Sequence, residues 1–160
     1  MLIAAGALLS GCATNNNELI LAPVGPSASQ SAPMPSSNGT LVVYSAYKRN
    51  ADFNSRDPYR QEYSDYKILT ADGQLFRKVH NNSGSISEDA LTVELAPGNY
   101  RVVARSNGYG YVTVPVVIKA KQNTVLRLDG SPWPDETASD PANAVRLPDG
   151  HIIGWKAVAN

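Results

Sequence analysis

Residues 91–106 read Leu-Thr-Val-Glu-Leu-Ala-Pro-Gly-Asn-Tyr-Arg-Val-Val-Ala-Arg-Ser, and this stretch decides the fold. Leu91, Val93 and Leu95 alternate with polar residues, which is the period of a half-buried strand. Pro97-Gly98 then favours a tight turn. The alternation resumes at Tyr100, whose ring can be buried while its hydroxyl caps the nearby backbone, as in a tyrosine corner. The sequence therefore predicts two strands joined by a turn.

The same period of two continues through the rest of the chain from Thr40. Asp72-Gly73 separates two apolar runs, which indicates a hairpin, and Pro148-Asp149-Gly150 does the same near the C terminus. Residues 111–118 are apolar on both faces and predict a central strand, although Pro115 requires an edge position or a bulge there. No amphipathic helix is evident. Roughly seven to nine short strands with turn signals predict an all-β fold, a single antiparallel β-sandwich over residues 40–160 that ends in a C-terminal hairpin. The strands are expected at 40–45, 66–70, 75–79, 91–95, 100–105, 111–118, 124–128, 145–147 and 152–153.

Residues 91–128 resemble carboxypeptidase-regulatory-like and PEGA-like domains. The resemblance lies in Leu95-Ala96-Pro97-Gly98-Asn99-Tyr100, in Gly108-Tyr109, and in the run Val114-Pro-Val-Val-Ile-Lys-Ala-Lys-Gln-Asn-Thr-Val-Leu-Arg-Leu128. It extends loosely to residues 40–79 and leaves out the C-terminal hairpin. It implies a small sandwich of transthyretin-like or immunoglobulin-like build. Such domains serve as scaffolds, so the resemblance implies no particular activity.

Met1 to Leu9 form an uncharged, almost wholly apolar run. A transmembrane helix needs about 20 apolar residues, so this run fits the apolar region of a signal peptide instead. It leads directly into Leu9-Ser10-Gly11-Cys12, which contains the only cysteine of the chain. The first basic residue is Lys48, whereas a signal peptide begins with positive charge. We therefore expect residues 1–11 to be a signal peptide whose natural start lies upstream of Met1.

The tetrapeptide at residues 9–12 resembles the lipobox of bacterial lipoproteins. This resemblance implies that the Cys12 thiol receives a diacylglyceryl group, that the signal is cut before Cys12, and that the new amino group is acylated. By the sorting rule of such lipoproteins, Ala13 implies the outer membrane of a Gram-negative cell, on its periplasmic face or at the cell surface. The membrane, reached through this lipid anchor, is thus the first expected partner.

Residues 12–39 combine lipidated Cys12 with a stretch rich in asparagine, proline, serine and alanine, in which Glu18 is the only charged residue. No strand or helix period runs through the stretch, which predicts a disordered linker. As a flexible coil it would span roughly 30 Å and hold the domain off the membrane.

Composition and motifs argue against several classes of function. The 14 basic residues balance the 14 acidic ones, so the chain lacks the basic excess of nucleic-acid-binding proteins. Residues 48–62 mix basic and aromatic residues, but their acidic residues leave almost no net charge. Asp52, Asn54 and Asp57 do not continue into a calcium-binding loop pattern. We expect no nucleic acid, no metal and no cofactor.

The sequence contains no catalytic motif, so we expect a protein that is not an enzyme and has no catalytic residues. His80 and His151 lie beside predicted turns, where surface imidazoles are common. The chain holds enough serines and aspartates for a Ser–His–Asp triad, which leaves a hydrolase as a remote third alternative.

The long segment from Ala46 to Asp65 is the candidate binding loop. Loops of more than about 12–15 residues are often functional. The aromatic residues of this one are Tyr47, Phe53, Tyr59 and Tyr63. They either bind a ligand or fold back over the sandwich edge as a lid. We expect a structural or adaptor role, binding a protein in the cell envelope, with a carbohydrate-binding module for cell-wall or environmental glycans as the alternative.

Overall fold

The computed structural model of the chain describes residues 19–26, 37–48, 62–81, 89–133 and 141–157. All regular structure in these ranges is β, apart from one turn of 3-10 helix at Pro141–Asn143. The strands are β1 (Val24–Gly25), β2 (Gly39–Tyr44), β3 (Tyr66–Thr70), β4 (Leu75–Val79), β5 (Thr92–Leu95), β6 (Gly98–Ser106), β7 (Gly110–Ile118), β8 (Asn123–Arg127), β9 (Ala144–Arg146) and β10 (Ile152–Lys156).

Two sheets pack face to face, which confirms the predicted β-sandwich. The larger sheet has seven strands in the order β4-β3-β6-β7-β1-β10-β9, and the smaller has three in the order β5-β2-β8. Most neighbours are antiparallel, but β2 pairs with β8, and β1 with β7, in parallel. Apolar side chains from both sheets fill the space between them, and the fully buried ones include Leu41, Val43, Ile68, Leu95, Val102, Val114, Val116, Leu126 and Ile153.

The predicted strands are all present, and their ends shift by at most three residues. The turn at Pro97-Gly98 carries the chain from β5 in the small sheet to β6 in the large one. The Tyr100 hydroxyl donates a hydrogen bond of 3.1 Å to the carbonyl of Ala96 at this corner, and its ring packs against the main core. The predicted hydroxyl contact is therefore confirmed, whereas the ring is only partly buried.

The N-terminal segment departs from the sequence-based prediction. Residues 12–39 were expected to be linker throughout, yet Leu21 and Val24 are buried in the core. Val24 lies opposite Val116 of β7 and Lys156 of β10. The Val24 side chain packs so closely against Gly154 that a Cβ at position 154 would lie 2.5 Å from Val24 Cγ1. The linker prediction is therefore wrong for residues 21–26, which complete the large sheet.

Pro115 lies within β7, an inner strand of the large sheet. It lies in β7 opposite Arg101 of β6. On the other side of β7, the described residues provide only the short β1, which pairs at Val116. β7 is therefore the inner strand that was predicted, whereas the register with β6 is continuous at Pro115 and the edge position or bulge expected there is not seen.

Candidate functional site

Two of the four aromatic residues predicted to form the binding loop can be placed, because Phe53 and Tyr59 lie outside the described residues. Tyr47 and Tyr63 form an isolated antiparallel bridge. Their rings stack at 4.8 Å between centroids, and their hydroxyl oxygens are 3.3 Å apart. Tyr44 approaches Tyr63 edge-on at 5.5 Å, and Tyr63 is only 8% exposed. Tyr63 thus has little surface to offer a ligand.

The aromatic row continues along the outer side of the three-stranded sheet. The guanidinium of Arg127 lies 4.6 Å from the centre of the Tyr44 ring and 5.8 Å from that of Trp133. It also donates a hydrogen bond of 2.8 Å to the carbonyl of Pro132. Trp133 is buried and donates from Nε1 to the carbonyl of Ile152 at 3.1 Å. These contacts hold the loop after β8 against the sheet.

Burial and, next, the hydrogen bond with Tyr47 raise the pKa of Tyr63 well above its usual value. The Tyr63 hydroxyl therefore stays neutral across the physiological range, and it does not act as a proton-transfer group there.

Of the candidate catalytic and metal-binding residues, the described ranges contain His80 and His151, and each contacts a different aspartate. Cys12, Asp52, Asn54 and Asp57 lie outside the described residues. His80 Nδ1 lies 3.1 Å from Asp65 Oδ1, and His151 Nδ1 lies 3.0 Å from Asp149 Oδ2. Both imidazoles are exposed. In the described ranges, no three His, Cys, Asp or Glu side chains are grouped so that they could hold a metal ion.

The Asp65 carboxylate contacts one side chain that follows β2 and one that follows β4. Lys48 Nζ lies 3.4 Å from Asp65 Oδ1, and His80 approaches the same oxygen. Partial burial raises the pKa of Asp65, but the hydrogen bond from His80 and the charge of Lys48 outweigh it and hold that pKa below its usual value. Asp65 therefore stays ionised and holds the chain after β4 beside the start of β3.

The outer side of the seven-stranded sheet carries a basic surface, which we call the basic face and define as Lys67, Lys78, Arg101 and Arg105. Lys67 lies opposite Lys78 on β4 and opposite Val103 on β6. Since side chains alternate along a strand, Arg101 and Arg105 project on the same side as Val103. Val102 and Ala104, which alternate with these residues on β6, are buried in the core. Pairing of β3, β4 and β6 thus brings the four basic side chains together.

The strands that carry the basic face contain no acidic residue, whereas Asp65 and Asp72 lie in the adjacent connections. Strands β3, β4, β6 and β7 contain Arg77 in addition to the four residues of the face, and no Asp or Glu. None of the four forms a salt bridge with another described residue. Asp72, in the turn between β3 and β4, interacts electrostatically with Arg101. The hydrogen bond from the Thr70 hydroxyl and the charge of Arg101 hold the pKa of Asp72 below its usual value.

A groove of about 510 Å³ runs along one end of the basic face. Lys67 and Lys78 line it together with Asp65, His80, Val103 and Tyr111. Tyr111 lies opposite Arg105 and is 73% exposed. The sequence alone does not predict this surface. The alternation in residues 91–106 predicts that Arg101 and Arg105 lie on one side of a strand. Only the strand register shows that Lys67 and Lys78 lie on that same side.

A second groove lies where the described chain begins. Leu19, Ile20 and Leu21 line it with Arg101, Thr113 and Pro115. Thr113 and Pro115 lie opposite Val103 and Arg101 in the register of β6 and β7, so they belong to the outer side of the sheet. The N-terminal segment therefore reaches the same sheet surface as the basic face.

No protein-family model, no curated protein and no solved structure matches the chain. The resemblances of residues 9–12 and 91–128 to known families therefore stay predictions. Among the described residues, no helix has the length and apolar character needed to cross a membrane.

Proposed function

We propose that this chain is an outer-membrane lipoprotein, anchored through lipidated Cys12, whose β-sandwich has a structural or adaptor role in binding another protein of the cell envelope. The observation that carries the proposal is the position of the only cysteine, in Leu9-Ser10-Gly11-Cys12 directly after an apolar run. Stable anchoring needs more than one acyl chain, and the lipobox pattern supplies three.

The placement of the two histidines supports a role without catalysis. Enzymes that use histidine in nucleophilic catalysis place a nucleophile within hydrogen-bonding distance of the imidazole. Here His80 and His151 each contact an exposed aspartate. No described serine or threonine is hydrogen-bonded to either ring.

Exposed apolar residues at the sheet edge support protein binding. Among the described strands, β4 is an outer strand of the large sheet, and its Leu75 and Phe76 are about half exposed. An edge strand with exposed side chains suits pairing or packing with another chain. Glycan binding is the weaker alternative because sugar stacking needs an open ring face, and Tyr63 is covered by Tyr44 and Tyr47.

The anchor is tested by labelling with radioactive palmitate in a Gram-negative host. The wild-type chain should incorporate label and Cys12→Ser should not. Ser10→Ala keeps a small side chain beside the cysteine and is the matched control that should retain label. Equal labelling of the wild type and of Cys12→Ser would refute the proposal.

The adaptor role is tested by comparing glycan-array binding with recovery of envelope proteins from detergent extracts. We expect protein recovery that falls when Leu75 and Phe76 are both replaced by Ser, and no glycan signal above background. Glycan binding that survives this double substitution, without protein recovery, would replace the adaptor role by the carbohydrate-binding alternative.

A further inference from the structure

We propose that the basic face lies against the anionic phospholipid surface of the membrane that holds the anchor, which fixes the orientation of the domain. The orientation rests on the proposed anchoring at Cys12. It assigns a function to Lys67, Lys78, Arg101 and Arg105, which the adaptor role does not use.

The first reason is the short connection between Cys12 and the folded domain. Leu19 is the first described residue, and Val24–Gly25 belong to the large sheet. Whatever conformation the intervening residues adopt, the seven Cα–Cα steps from Cys12 to Leu19 span at most about 25 Å. A domain of this size has a diameter of roughly 35 Å. The connection is thus too short to pass around the domain, so the surface near Leu19 must face the bilayer.

The second reason is the side on which this connection leaves. Leu19 and Ile20 lie beside Arg101, Thr113 and Pro115 on the outer side of the large sheet. The surface drawn toward the membrane is therefore the one that carries the basic face. Ile20 is 92% exposed, and with the exposed Tyr111 it offers apolar and amphipathic groups suited to the lipid interface.

The third reason is charge complementarity. The four side chains of the basic face are not neutralised by salt bridges within the described residues. A basic residue near an anionic bilayer raises the partition coefficient about fivefold. Two such residues together therefore raise the partition coefficient about 25-fold. An acidic protein partner is disfavoured, because the short connection already turns this surface toward the lipid.

Vesicle binding tests the proposal without the lipid anchor. The probe is the chain from residue 12 onward with Cys12→Ser, which contains every described strand. We expect it to bind vesicles containing about one-third phosphatidylglycerol, to bind pure phosphatidylcholine vesicles weakly, and to dissociate at high salt. Lys67→Gln with Arg101→Gln should lower the partition coefficient about 25-fold.

The matched control is Arg146→Gln with Lys156→Gln. This pair changes the net charge equally but lies on β9 and β10, at the other end of the seven-stranded sheet. We expect it to change the partition coefficient by less than about threefold, because neither side chain belongs to the basic face and Lys156, paired with the core residue Val24, lies on the other side of the sheet. Thermal unfolding followed by circular dichroism verifies that both pairs remain folded.

Orientation is read from single labelled cysteines. Cys12→Ser leaves a chain without cysteine, so Tyr111→Cys and Glu94→Cys can each carry one environment-sensitive fluorophore. Tyr111 lies on β7 of the large sheet, and Glu94 is exposed on β5 of the small sheet. Only the label at position 111 should shift to the blue on adding the phosphatidylglycerol vesicles.

Four results would overturn the proposal: equal binding to both kinds of vesicle, equal loss in the two charge pairs, a blue shift at position 94, or binding of soluble polyphosphate without vesicle binding. Because the probe has no lipid, these failures would leave the palmitate result untouched. Loss of palmitate labelling would in turn leave the vesicle measurement intact.

Discussion

Asn81 ties the chain after β4, a strand of the large sheet, to β2 and the entry to β5 of the small sheet. Its side chain is fully buried. Nδ2 donates hydrogen bonds to the carbonyl of Val43 at 2.8 Å and to Ser45 Oγ at 3.0 Å. Oδ1 accepts from the backbone N–H of Leu91 at 3.0 Å. Ser45 Oγ then donates to the carbonyl of Ser64. A buried amide is stable only when such partners are present, so one side chain holds the chain after β4 against β2 and the entry to β5.

We predict that Asn81→Ala lowers the free energy of unfolding by about 2–4 kcal/mol, because the buried Val43 carbonyl and Leu91 N–H lose this partner. Asn99→Ala, at an exposed position of β6, should change it by less than about 0.5 kcal/mol. Urea denaturation of both variants measures the difference. A loss of stability below about 1 kcal/mol for Asn81→Ala would show that the network is dispensable.

Whether the role of a residue could be predicted from the sequence depends on how far along the chain its partner lies. The hydrogen bond of Tyr100 reaches only four residues back to Ala96, and Pro97-Gly98 marks the turn between them, so the sequence was enough. Asn81 bonds to Val43, 38 residues away, and an isolated asparagine after a strand resembles an ordinary turn residue. The basic face joins residues from three strands, and a period of two does not reveal their register.

At the scale of single elements, turn chemistry predicted the β3–β4 hairpin well. Gly73 has a φ of +89°, which glycine adopts without steric cost. Its N–H donates to the carbonyl of Thr70 at 3.0 Å, so the chain reverses where Asp72-Gly73 indicated. By contrast, β1 has two residues, which are too few to show a period. Its proline- and serine-rich surroundings favoured a linker instead.

We predict that Val24→Ala lowers the free energy of unfolding by about 1–3 kcal/mol, because it removes buried methyl groups and leaves a cavity. Ile20→Ala, in the same segment but largely exposed, should change it by less than about 0.5 kcal/mol. Equal stability of the two variants in thermal unfolding would mean that β1 does not contribute to the fold and that the linker continues to β2.

For the whole molecule, the balanced composition conceals a separation of charge. The chain has a formal net charge of zero, yet six of its described strands contain basic residues and no acidic ones, and three of them, β3, β4 and β6, carry the basic face. The composition argued against nucleic-acid binding, but it could not show a basic face. That face arises only when the sheet brings its residues together.

We predict that acid destabilises the domain. The pKa values of Asp65, Asp72 and Asp149 are lowered in the folded state from their ordinary value of 3.8. As the pH falls through 3.8, these carboxyl groups bind protons in the unfolded chain before they do so in the folded one. The stability that they contribute is therefore present above pH 3.8 and is lost as the pH falls through the folded pKa values. The urea midpoint should be lower at pH 3 than at pH 5. A midpoint that rises on acidification would contradict the assignment.

Asp65→Asn with Asp149→Asn provides the control for this pH dependence. The double variant lacks two of the three shifted carboxyl groups, so its urea midpoint should fall less steeply between pH 5 and pH 3 than that of the wild type.

The two-residue strand β1 also determines how the domain yields to mechanical tension. In a chain anchored at Cys12, a pull between the bilayer and a bound partner enters the described fold at Leu19 and is first borne by β1. Within the described residues, β1 is the strand that joins β7 to β10. Its detachment would divide the large sheet into a four-stranded part and the hairpin of β9 and β10, while the nine-residue pairing of β6 with β7 stayed unloaded. Force on the tether would thus open the sheet at its centre before any long ladder is strained.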